Sequence, residues 1–106
     1  VSTLIWVNAC IFPVSEKVRA HIYVYGRVQG VFYRQTAKEV ADKLGLGGWI
    51  RNLRDGRVEA LVEGPREAVM RMIEWAKQGP PLARVVKVEV FWEDYRGEFV
   101  GFEITD

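Results

Sequence analysis

The chain has 106 residues, and its 15 basic against 14 acidic side chains leave a formal net charge of +1. That length supplies one hydrophobic core and not two, and a hydrophobic share of 49% beside 27% charged residues excludes a disordered or membrane-embedded chain. A balance so close to neutral gives no net field to draw in nucleic acid or an anionic membrane, and the lone Cys10 and lone His21 allow neither a disulfide framework nor a soft-ligand set for zinc or an iron–sulfur cluster.

The single thiol fits a reducing cytoplasm, and no metal or other cofactor is expected. Residues 1–14 are mostly apolar but carry no basic flank, and they fall short of the roughly 20 residues that a spanning helix needs. Neither signal peptide nor anchor is expected. The strand-like runs Ser2-Thr3-Leu4-Ile5-Trp6-Val7 and Cys10-Ile11-Phe12 mark residues 1–17 as an N-terminal extension, a candidate extra edge strand or dimer contact on an otherwise monomeric domain at 18–106.

From Val18 the pattern alternates strictly, with Val18, Ala20, Ile22 and Val24 on one face and Arg19, His21, Tyr23 and Tyr25 on the other, which predicts a half-buried strand. Gly26-Arg27-Val28-Gln29-Gly30 follows, its glycines permitting a tight loop and a close backbone approach. Past Arg34 the period turns helical, with Ala37, Val40, Ala41 and Leu44 on one stripe and Gly45 as the stop. Residues 49–53 read as a second strand, Arg54-Asp55-Gly56 as a turn, and 57–63 as a third strand with Val58, Ala60 and Val62 inward. Gly64-Pro65 opens a second helix whose buried stripe is Val69, Met72, Ile73 and Ala76, and Gly79-Pro80-Pro81 ends it. A fourth strand spans 84–93 with Val86, Val88, Val90 and Trp92 on one face, and Phe102 with Ile104 suggests a short fifth.

The order βαββαβ plus a tail strand predicts an α+β, ferredoxin-like split βαβ sandwich: an antiparallel sheet with two helices on one face. With right-handed crossovers, strand three lies between strands one and two, which run parallel and end at one rim. Two sheet spacings, about 10 Å, then separate the loop after strand one from Asn52 at the end of strand two. An arginine side chain spans most of that gap.

The loop feeds directly into a helix, where free backbone N–H groups and the positive end of the helix dipole favour an anion. A curved run of N–H groups adds donors. Arg34 adds a planar cationic fork that grips two phosphoryl oxygens.

Gly26-x-Val28-Gln29-Gly30-Val31-x-Tyr33-Arg34 and Gly48-Trp49-Ile50-Arg51-Asn52-x-x-x-Gly56-x-Val58-x-x-x-x-x-Gly64 resemble both signature stretches of the acylphosphatase family, in order and in separation. The resemblance runs from the first strand to the fifth. Departures are Tyr33, where phenylalanine is commoner, and Ile50, where the family usually has a smaller residue. The resemblance implies metal-independent hydrolysis of an acyl phosphate, a carboxylic–phosphoric anhydride, to carboxylate and inorganic phosphate. By motif position it makes Arg34 the phosphate-binding arginine and Asn52 the residue that orients the attacking water. The backbone amides of Gln29, Gly30, Val31, Phe32, Tyr33 and Arg34 complete the phosphate site. The partner is then a small-molecule acyl phosphate, with neither nucleic acid nor membrane involved.

Other residues take structural readings. His21 lies mid-strand, away from the rim. The sheet aromatics suggest base stacking, but the basic-Gly-aromatic run of RNA-recognition strands is missing and the outward glutamates of 57–63 repel phosphate. Arg51, Arg54 and Arg57 read as solvated turn arginines, Asp55 as a turn residue and Glu59 as part of an exposed strand face. The alternative to the hydrolase is a non-catalytic module that binds anionic or phosphoryl ligands with the same loop.

Overall fold

A computed structural model describes residues 16–105. Of the N-terminal extension expected at 1–17, Lys17 belongs to β1, and the expected edge strand and dimer contact at residues 1–15 lie outside the described residues. The elements are β1 (Lys17–Arg27), α1 (Tyr33–Leu44), β2 (Gly47–Asn52), β3 (Val58–Pro65), α2 (Arg66–Gln78), β4 (Arg84–Glu93) and β5 (Phe102–Ile104). The sheet order is β4-β1-β3-β2-β5.

The first four strands form the expected antiparallel body, with β3 between β1 and β2. β5 joins beside β2 in parallel, Gly48 opposite Phe102 and Ile50 opposite Ile104, so the complete sheet is mixed. Strict alternation puts Val18, Ala20, Ile22 and Val24 of β1, Ile50 of β2, and Val58, Ala60 and Val62 of β3 on one face, where they share a core with Ala37 and Ala41 of α1 and Val69, Met72 and Ile73 of α2. Each large apolar side chain fully buried there contributes roughly 1.5–3 kcal/mol. At the rim, Val58 pairs with both Val24 and Asn52, so a single strand separates the end of β1 from the end of β2.

β4 keeps Val88 and Val90 on the expected core face but departs from it at Val86. Tyr25 pairs with Lys87 but Gly26 pairs with Val85, so Val86 is the extra residue of a bulge and is 75% exposed, while Val85 packs on the core in its place. The bulge lies opposite a glycine on the neighbouring strand. Gly26 has φ 126°, and a Cβ on it would collide with the carbonyl oxygen of Arg84.

The other face of the sheet also differs from expectation. Glu59 and Glu63 are 5% and 4% exposed rather than solvated. Arg51 Nε donates to Glu59 at 2.6 Å, and His21 bridges Glu59 (2.6 Å) and Glu93 (3.3 Å). Arg19 Nη1 donates to Glu63 at 3.1 Å and to Glu98 at 2.7 Å. The connection from β4 to β5 crosses this face, and the backbone N–H groups of Arg96, Gly97 and Glu98 all donate to the Glu63 carboxylate at 2.9–3.3 Å.

Candidate active site

The segment between β1 and α1 is built on buried anchors. Val28, Val31 and Tyr33 are 1%, 5% and 2% exposed, so these three side chains are sunk into the core while Gly30 and Phe32 are exposed. Gly30 has φ 74° and Phe32 has φ 66° and ψ 23°, whereas Val31 between them does not have a positive φ. Left-handed residues in a loop are a building block of anion nests, and this segment leads directly into the first turn of α1. Phe32 is the only non-glycine residue with positive φ among the described residues. Holding it there costs about 1–2 kcal/mol that glycine would not incur.

The loop is tied to the β2–β3 hairpin by one side chain. Gln29 Nε2 donates to the carbonyl of Leu53 at 2.7 Å and to that of Arg57 at 3.0 Å. Those two residues close the hairpin through Leu53 N–H to Arg57 O at 2.8 Å. Asp55 fills its expected turn role, its Oδ1 accepting the N–H of Arg57 at 3.1 Å. Asn52 immediately precedes this turn, so Gln29 fixes the loop relative to Asn52.

A pocket of about 160 Å³ opens at the rim, lined by Val28, Gly30, Phe32, Tyr33, Arg34, Gln35 and Asn52. The structure therefore brings together Arg34, Asn52, Gly30, Phe32 and Tyr33 of the residues expected there. Gln29 and Val31 flank the pocket without lining it, the first turned to the hairpin and the second to the core. Arg34 and Asn52 are both half-buried. Among the described residues, Asn52 Oδ1 is the only buried side-chain polar atom with no hydrogen-bond partner in the protein. An unmet acceptor in such a place is costly unless a ligand or water donates to it. Among the described residues, no acidic, histidine or cysteine side chain lines the pocket.

Sequence reasoning placed the loop and Asn52 at one rim, and the family resemblance paired Arg34 with Asn52 by motif position. It missed the Gln29 side-chain clamp, whose partners are backbone carbonyls in another element, and the left-handed Phe32, an aromatic where αL favours Gly or Asn. His21 sits on the opposite face among carboxylates, away from the pocket, as expected.

The family model for acylphosphatase matches residues 20–104. Among curated relatives, the acylphosphatase of Pyrobaculum islandicum is 62% identical over 90 residues, covering 84% of this chain and 95% of its own. That of Syntrophobacter fumaroxidans is 57% identical, covering 85% and 93%. The crystal structure of the Bacillus subtilis acylphosphatase is similar with a TM-score of 0.81 and 38% identity, over 84% of this chain and 99% of that one. The BLUF protein BlrB, at 18% identity and a TM-score of 0.65, shares the fold alone. The matched span runs from the first strand to the last and takes in the loop, the hairpin and the pocket between them: the chain belongs to the acylphosphatase family.

Proposed function

We propose that the chain hydrolyses acyl phosphates at the rim pocket without a metal ion, Arg34 and the backbone amides of residues 29–34 holding the phosphoryl group and Asn52 holding the attacking water. The observation that carries this reading is the buried, unpartnered Oδ1 of Asn52 in the same small pocket as Arg34. The amide of Asn52 does not ionise, so it is no base. Its oxygen accepts a hydrogen bond from water and leaves a water lone pair aimed at phosphorus. The water oxygen bonds to phosphorus as the bond from phosphorus to the acyl oxygen breaks, and that electron pair leaves on the carboxylate. One water proton passes to a phosphoryl oxygen, giving dihydrogen phosphate. A carboxylate is a weak base and leaves without a proton, so the step calls for no general acid.

Charge in the transition state spreads over the equatorial oxygens, where preorganised N–H groups and a guanidinium stabilise it most. Among the described residues no helix is long and apolar enough to cross a membrane. The cytoplasm is our proposed compartment, on the single thiol, and residues 18–106 are our proposed catalytic domain, in keeping with the family match at 20–104.

The test is release of phosphate from acetyl or benzoyl phosphate by the intact chain in EDTA. Turnover that survives the chelator is expected; folded protein that binds phosphate without turnover contradicts the reading and returns the anion-binding alternative.

A further inference from the structure

Phe32 does three things that do not sit together if it only turns the chain. It occupies the left-handed region, where glycine or asparagine is favoured. It leaves 63% of its surface exposed, so its ring adds little to the core. It stands at the N-cap of α1 without a side-chain hydrogen bond, where a small polar residue satisfies the helix better. Its backbone is nonetheless held firmly, since its carbonyl accepts both the N–H (3.1 Å) and the hydroxyl (2.9 Å) of Thr36. An aromatic ring is kept, against local preference, at the wall of the pocket.

The pocket gives that ring a task. Its volume of about 160 Å³ lies well under the roughly 300–1,000 Å³ of sites that enclose drug-sized ligands. A phosphoryl group and a water fit inside, and the acyl half of the substrate projects out past the exposed ring. An aromatic face at that point gains from contact with another ring or an extended apolar chain and little from a methyl group.

We propose that Phe32 is a specificity-determining residue, selecting acyl phosphates with aromatic or extended apolar acyl groups over those with acetyl-sized ones. This rests on hydrolysis of acyl phosphates at the same pocket. The contact forms with substrate and persists in the transition state, so its loss appears in KM more than in kcat.

The experiment compares kcat and KM for benzoyl and acetyl phosphate in the intact chain, Phe32→Asn and Phe32→Tyr. Asparagine tolerates the left-handed backbone, so the first variant keeps the loop, and the second restores a ring. The ratio of kcat/KM for benzoyl over acetyl phosphate is expected to fall about tenfold in Phe32→Asn, mainly through KM for the benzoyl substrate, and to return in Phe32→Tyr. An unchanged ratio in Phe32→Asn, with both substrates still hydrolysed, overturns the role of the ring while leaving the hydrolase reading intact. Turnover of neither substrate by the intact chain overturns both.

Discussion

Pro80 has no N–H, so the carbonyl of Ala76, one turn before it at the end of α2, lacks the donor that a helix normally supplies from that position. The hydroxyl of Tyr33 makes good the loss at 2.7 Å. Tyr33 is 2% exposed, its ring lies 5.1 Å from that of Trp75, and burial pushes its phenol up, so the hydroxyl keeps the proton it donates. The departure from the family's commoner phenylalanine thus has a structural partner, a carbonyl that a proline leaves open. Tyr33→Phe keeps the ring packing and strands that carbonyl, at an expected cost of about 1–3 kcal/mol. A lower urea midpoint at unchanged slope checks it, and an unmoved midpoint contradicts it.

Among elements, the clamp from the β1–α1 loop to the β2–β3 hairpin matters most, because each carries one half of the proposed site. Leu53 O and Arg57 O also accept backbone N–H groups within the turn, so neither is orphaned when Gln29 is replaced. Gln29→Met, similar in shape but without donors, is therefore expected to cost only about 1 kcal/mol of stability. Activity suffers more. A shift of about 1 Å between Asn52 and the held phosphoryl group lowers kcat by about 10²-fold. Denaturation midpoints and kcat measured together check this, and a kcat loss no larger than the unfolded fraction contradicts it. The motif glutamine was legible as a loop residue, but nothing near it in the chain signals carbonyls 24 and 28 residues away. Val86 was misassigned for the same reason, its bulge lying where Gly26 of the neighbouring strand lets the Arg84 backbone come close.

Across the whole molecule, polarity is divided between the faces of the sheet. One face holds the apolar core beneath the helices, and its residues on β1, β3, α1 and α2 were readable from periods of two and 3.6. The other face buries carboxylates, which a sequence pattern reads as solvent-facing because alternation reports the side of the strand and not what crosses it. Here the β4–β5 connection crosses it, held by Glu63. Burial pushes the Glu63 carboxyl up, but the N–H of Arg96, the guanidinium of Arg19 and the N–H groups of Gly97 and Glu98 outweigh it, leaving the carboxyl below its ordinary range. Glu59 is held low in the same way, burial opposed by Arg51, His21 and Tyr23. Below the ordinary glutamate value of about 4.3 the unfolded chain then binds more protons than the folded one. Their contribution to stability is complete above that value and is lost as pH falls through the lower folded values. Urea midpoints flat near neutrality and falling below about pH 4.3 are expected, with a shallower acid limb in Glu63→Gln. An acid limb identical in both proteins contradicts the assignment to Glu63. The same non-local cause hid the parallel pairing of β5, since three residues carry no signal of strand direction.

The central claim is that Asn52 places water while Arg34 and the loop hold phosphate, and Asn52→Ala separates the two most directly. Loss of one preorganised catalytic contact is expected to lower kcat by about 10²–10³-fold, while inorganic phosphate still inhibits residual turnover or protects the fold at similar concentration. Near-normal kcat in the folded variant contradicts the water-placing role, and loss of phosphate binding in parallel with kcat contradicts the division of labour.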